Sequence, residues 1–288
     1  MDQATKLRNL VKGQEERKTV ATVITVTSGK GGVGKSNMSV NLAIQMQNLG
    51  KRVIILDADF GLANVEVMFG IRPVYSLADL MFKNKELKDI ICPGPRGIGV
   101  ISGGSGIQEM ANLTKYQIGN LTSKLYELDE LADVIIIDTG AGISDAVLEF
   151  VTHSTEVILV ATPEPTSITD AYALLKSVNK RDDFDKTKHI QMITNRVGTA
   201  KEGKELFAKL DVVVKRFLDV EIDFLGAVPQ DSNVSKAVMR QVPFSIAYPN
   251  TQAAIAVQAI AYKLLGNTTY AQKDKKGITY LFSKFMHK

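Results

Sequence analysis

The sequence predicts an α/β domain: a doubly wound, mostly parallel sheet with helices on both faces. Short β-branched runs alternate with helix-length amphipathic stretches from Thr19 to about Leu265. Alternation of that kind builds parallel sheets through right-handed crossovers. Several runs are apolar at consecutive positions, the pattern of strands covered on both faces. No fixed-period repeat runs through the chain, which excludes a solenoid.

Taken in order, residues 1–18 are dense in charge and amide groups, with only a short apolar stripe, and read as a mobile arm. The strand candidates follow: Val20–Ser28, Arg52–Asp59, Gly97–Ser102, Ala132–Thr139, Thr155–Thr162, His189–Asn195 and Ile222–Val228. The domain they form is expected over residues 19–266. Residues 267–276 carry no apolar periodicity and read as a linker, and residues 277–288 are amphipathic again.

Composition removes several function classes. Hydrophobic residues make up 45% and charged residues 23% of 288, ordinary for a globular chain. The net charge of +4 is too mild to imply nucleic acid by itself. Cys92 is the only cysteine, which excludes a disulfide framework and a cysteine-rich metal or iron–sulfur site within one subunit. Beside Pro93 and Gly94 it reads as a loop or strand-end thiol. His153, His189 and His287 lack ligand-like spacing. No stretch approaches the ~18 to 20 apolar residues that span a bilayer. The polar start of the chain lacks the apolar core of a secretory signal, so a cytoplasmic protein is expected.

The chemistry begins where the first strand ends. The run Gly29-Lys30-Gly31-Gly32-Val33-Gly34-Lys35-Ser36 fits the pattern of a phosphate-binding loop, between a strand and a helix expected from Asn37 onward. Its glycines turn backbone amides toward a phosphate without Cβ clashes, and the helix N-terminus adds partial positive charge. In such a loop Lys35 reaches the β- and γ-phosphates of ATP and Ser36 ligates Mg²⁺. The bare pattern arises by chance in about one chain in a hundred of this length, and its flanking elements reduce that further. Two more strands end in carboxylates, Asp57 and Asp59 on one and Asp138 on the other. Ligands of open α/β sheets sit outside those strand ends, so these groups suit a Mg²⁺ shell; a helix N-cap after a strand is the plainer reading of any one of them.

Lysine at the second loop position, Lys30, resembles the deviant Walker A motif of the MinD/ParA class of P-loop ATPases. Asp57-Ala58-Asp59-Phe60-Gly61-Leu62-Ala63-Asn64 is similar to that class's switch I, and Asp138-Thr139-Gly140-Ala141-Gly142 to its switch II. The resemblance covers about residues 20–265 and implies ATP hydrolysis by a MinD-like P-loop fold that forms an ATP-dependent homodimer. Lys30 would then reach the partner's phosphates, and Lys35 would hold the nucleotide of its own chain. Asp59 would orient the attacking water, and Asp138, with Ser36 and Asp57, would hold the metal. Asn195 and Arg196, with Pro229, Gln230 and Asp231, fall where the class contacts adenine.

The two ends carry further resemblances. Asp2, Gln3, Ala4, Leu7 and Arg8 resemble the DQAxxLR arm of the FlhG (YlxH, FleN) family, which regulates flagellar number and placement. That implies stimulation of the signal-recognition-type GTPase FlhF, with Gln3 reaching its nucleotide site, and the C-ring proteins FliM and FliN/FliY as partners. At the other end Ile278, Leu281, Phe282, Phe285 and Met286 share one helical face, among Lys273, Lys275, Lys276, Lys284 and Lys288. Such a helix lies in a membrane interface with its lysines on anionic lipids, or packs on the domain's own core; spacing alone leaves both open. Resemblance to the membrane-targeting helix of MinD favours the first, reversibly on the inner face of the cell membrane. A ParA-like ATPase that binds nucleic acid nonspecifically is the alternative, and the amphipathic tail fits a membrane better. An iron-protein-like carrier needs a cysteine pair that one Cys92 does not supply.

Overall fold

Eight strands form one sheet: β1 (Thr22–Thr27), β2 (Val53–Ala58), β3 (Cys92–Pro93), β4 (Gly99–Ser102), β5 (Val134–Thr139), β6 (Glu156–Ala161), β7 (His189–Val197) and β8 (Glu221–Pro229). Their order is β3-β4-β2-β5-β1-β6-β7-β8. Every pairing is parallel except that of β3 with β4, a short antiparallel edge. The computed structural model describes residues 20–59, 64–83, 85–103, 124–266 and 277–286, the side chains of Phe285 and Met286 excepted. The arm over 1–18, with Asp2, Gln3, Ala4, Leu7 and Arg8, lies outside the described residues, as do Gly61 of switch I and the stretch 267–276.

The seven expected strands all form. Cys92 sits in the edge strand that the sequence pattern did not separate from a loop. Consecutive apolar residues do what buried parallel strands require, since successive side chains point to opposite faces. On β5, Val134 and Ile136 enter one core while Ile135 and Ile137 enter another. On β2, Val53 and Ile55 face the first core, and Ile54, Leu56 and Ala58 the second.

Helices cover both faces. They are α1 (Lys35–Asn48), α2 (Asn64–Phe69), α3 (Leu77–Phe82), α4 (Leu87–Ile90), α5 over 124–131, α6 (Asp145–His153), α7 (Pro165–Asn179), α8 (Ala200–Phe217), α9 (Ser232–Met239), α10 (Phe244–Ala247), α11 (Gln252–Gly266) and α12 (Ile278–Met286). The first core joins α1 to α11 through Leu42, Ile44, Val257 and Ile260, with Phe244 of α10. The second lies under α3, α4, α5 and α12. A third, through Leu174, Leu206 and Val214, seats α7 and α8 beyond β6.

The terminal segment differs from the lipid-facing expectation. Ile278, Leu281 and Phe282 are 0% exposed in this conformation, docked in the second core, and only Lys284 of the expected membrane face is exposed among the side chains described. The domain's own apolar groove satisfies the face that the spacing left without an assigned partner. Among the described residues no helix is long and apolar enough to cross a membrane.

Candidate nucleotide site

The strand order brings the predicted residues together. β1 lies between β5 and β6, and β5 lies between β1 and β2. Val26 pairs with Asp138 across β1 and β5, and Asp57 pairs with Asp138 across β2 and β5. The loop leaving β1 therefore opens beside two carboxylates at the same sheet edge.

Within that loop the glycines have distinct tasks. Gly32 and Gly34 adopt φ of 77° and 95°, left-handed backbone that disfavours side chains. A Cβ on Gly31 or Gly32 would meet nothing within 4 Å, so both border open space suited to a phosphate. Gly29 faces the opposite demand, since a Cβ there would overlap the backbone carbonyl of Asp170 on α7. The helix begins at Lys35, two residues before the expected start, because Gly34 in its left-handed conformation serves as N-cap.

Lys35 and Asp138 form a buried ion pair, Nζ to Oδ1 at 3.3 Å, and Ser39 Oγ donates to the same oxygen at 2.8 Å. Ser36 opens the same helix, 8% exposed. Among the described residues the other Asp138 oxygen, Oδ2, has no hydrogen-bond partner although it is buried. A buried carboxylate oxygen without a donor is costly unless something else satisfies it, and a magnesium ion or one of its waters fits. Asp57 points to the same conclusion. Burial, then the neighbouring Asp138 charge, pushes its carboxyl up to about 7, against hydrogen bonds from the Asp59 and Val65 amides. A divalent cation relieves that repulsion. Ser36, Asp138 and Asp57 would hold it, supplying charge neutralisation for the phosphates.

The described residues of the expected switches are tied to this centre. Asn64 Nδ2 donates to Asp59 Oδ2 at 3.3 Å, and Asp59 Oδ1 stands 3.7 Å from where a Cβ on Gly140 would lie. Asp59 of the expected switch I thus lies beside Gly140 of the expected switch II. Thr139 Oγ1 donates to the Val26 carbonyl at 3.1 Å, and the Gly142 amide, φ 92°, donates to the Ser28 carbonyl at 2.9 Å.

Lys30 stands apart from Lys35. Its ammonium donates to Glu164 Oε2 at 2.6 Å and Thr166 Oγ1 at 2.7 Å, at the start of α7. That bond holds the Glu164 carboxyl below the usual carboxylate range.

The expected adenine residues collect where β7 and β8 end. Asn195 Nδ2 donates to the Val33 carbonyl at 2.8 Å, so this side chain also braces the phosphate loop. Arg196 is exposed at φ 57°, where the β7–β8 register shifts. The register sets Pro229 beside Val197, the Gln230 amide donates to the Val197 carbonyl at 2.8 Å, and Asp231 caps α9 by accepting from the Asn233 amide at 2.8 Å. Sequence reasoning missed Ser39, Glu164 and Thr166. Ser39 had a signal, its i+4 spacing from Lys35 on one helix face; the other two had none.

A family model described as ParA, NUBPL iron-transfer P-loop NTPase, matches residues 19–265. The antiactivator FleN of Pseudomonas aeruginosa is 45% identical over 242 residues, 84% of this chain and 85% of that protein. The flagellum site-determining protein YlxH of Helicobacter pylori is 32% identical over 294 residues, covering 99% of this chain and 98% of its own. A chain of the MinC:MinD cell division complex of Aquifex aeolicus superposes with a TM-score of 0.67 at 24% identity, over 86% of this chain and 96% of that one. MinD of Pyrococcus horikoshii, complexed with Mg-ADP, gives a TM-score of 0.66 at 21% identity, over 86% and 98%. These two likenesses show the fold. The loop, the paired carboxylates and the matched family agree: the chain is an ATPase of the ParA/MinD P-loop family, with the antiactivator FleN and the flagellum site-determining protein YlxH among its relatives.

Proposed function

We propose that this ATPase is a spatial regulator of flagella that cycles between a monomer and an ATP-bound, membrane-associated homodimer. One observation carries the reading: the two loop lysines are separated. Lys35 serves the buried carboxylate of its own site, while Lys30 reaches the surface and rests on Glu164. A cation so placed suits the phosphates of a second copy, adding positive charge where the transition state gathers negative charge. In this reading Asp59 orients the attacking water and Asp138 carries the metal shell. Asn195, Arg196 and the Pro229–Asp231 segment receive the base.

The same reading gives the ends of the chain their tasks. Residues 1–18, with Gln3 foremost, stimulate the GTPase FlhF, and FliM and FliN/FliY are C-ring partners. Residues 278–288 attach the dimer to anionic lipid, with two weak helices giving avidity that one lacks. Size-exclusion chromatography of Asp59→Ala with ADP and with ATP tests the cycle. A dimer only with ATP, lost on Lys30→Ala while nucleotide still binds, is the expected result. An ATP dimer indifferent to Lys30 counts against it. Deleting 278–288 should abolish ATP-dependent vesicle pelleting, and Gln3→Ala should remove stimulation of FlhF.

A further inference from the structure

We propose that Asp129 is a latch that stows the C-terminal helix: its buried carboxylate clasps the first turn of α12, and opening that clasp decides whether the helix's apolar face meets the domain or a lipid surface. The lipid half rests on the membrane reading given above.

Asp129 lies on α5, 5% exposed. The Ile278 amide donates to its Oδ1 at 3.0 Å, and Thr279 donates to its Oδ2 from Oγ1 at 2.9 Å and from the amide at 3.4 Å. One side chain from a distant helix thus satisfies the first amides of α12, groups that no intrahelical carbonyl reaches. The fit depends on glycine at the preceding position. A Cβ on Gly277 would overlap both Asp129 carboxylate oxygens and lie 2.5 Å from Val20 Cγ1.

The clasp is poised rather than deep. Burial pushes the Asp129 carboxyl above its usual range, and the bonds from Ile278 and Thr279 pull it down without cancelling that effect. Docking the helix therefore gains the burial of Ile278, Leu281 and Phe282 but keeps a carboxylate out of water. Undocking returns that carboxylate to solvent, which lowers the cost of exposing or transferring the apolar face.

The groove is also attached to the nucleotide site. Phe282 packs edge-on against Phe150 of α6, ring centroids 6.2 Å apart. α6 follows switch II, α5 precedes β5, and β5 ends in Asp138 and Thr139. Both walls of the groove are thus joined through the strand that carries the metal-site carboxylate.

Two variants of the full chain, Asp129→Ala and Gly277→Ala, open the clasp from opposite sides. Hydrogen exchange of the 278–286 amides in ADP should accelerate at least tenfold in both, with the exchange of β1 and β5 and the affinity for ADP unchanged. Both should then float with phosphatidylglycerol vesicles in ADP more than the unaltered chain does in ADP, though less fully than the ATP dimer, since each monomer offers one helix. Unaltered exchange at 278–286 in both variants would overturn the latch. Faster exchange with no flotation in either nucleotide would overturn the lipid half, and the membrane reading with it, while leaving the clasp established.

Discussion

Lys30 Nζ lies 2.6 Å from Glu164 Oε2, and Thr166 Oγ1 accepts from the same ammonium at 2.7 Å. The lysine that marks the family is therefore occupied within its own chain. Any role across a dimer interface must first break this pair. Glu164→Gln keeps the shape and removes the charge, so it should tighten ATP-dependent dimerisation several-fold. Sedimentation velocity of the Asp59→Ala background, with and without the change, checks this; weaker dimerisation would show that Glu164 helps the interface instead.

Asp138 serves two masters, the buried Lys35 ammonium and, in the reading above, magnesium. Asp138→Asn should lower magnesium-dependent ATP turnover by at least about a hundredfold. It also leaves Lys35 buried without its counter-charge, a loss of about 3–5 kcal/mol in comparable pairs. Relief of the like-charge neighbour Asp57 offsets part of it. Urea denaturation measures the stability arm and steady-state turnover the other; full activity in the variant would remove Asp138 from the chemistry.

The phosphate loop depends on Gly34 and Asn195 together. Gly34→Ala must hold φ near 95° and also push aside Asn195 Nδ2. The backbone strain alone costs about 1–2 kcal/mol, and the loop should lose at least tenfold in ATP affinity by calorimetry. Asn195→Ala leaves the Val33 carbonyl without its donor, a cost of about 1–3 kcal/mol if water does not replace it. Its affinity loss should be similar for ADP and ATP, since the brace acts on the loop rather than on the γ-phosphate.

Asp79 supplies a pH-dependent term far from the site. It closes a capping box on α3 with Ser76, and Lys83 is the first cause of its carboxyl lying below the ordinary 3.8. A depressed folded value contributes stability that is present above 3.8 and lost as pH falls through the folded value. Asp79→Ala should therefore cost about 1 kcal/mol at neutral pH. The difference from the unaltered chain should narrow as pH falls below 3.8 and the carboxylate takes up its proton, as read by thermal melts at successive pH values from about 7 downward.

By itself the sequence determined the sheet's strands, the phosphate loop and the two acidic strand ends. Each of these is written in contiguous residues: runs such as Val134–Ile137 are apolar at every position, and glycines at 32 and 34 answer a local backbone demand. Tertiary structure decided what those residues touch. Glu164 for Lys30, Ser39 for Asp138 and Asn195 for the Val33 carbonyl became partners only through the strand order and helix packing, which bring distant segments into hydrogen-bond range. The same holds at the end of the chain. Periodicity marks Ile278, Leu281 and Phe282 as one apolar face, but a hydrocarbon side chain gains as much from a protein groove as from lipid. The groove under α3, α4 and α5, and the carboxylate of Asp129 at its rim, settled where that face rests in this conformation.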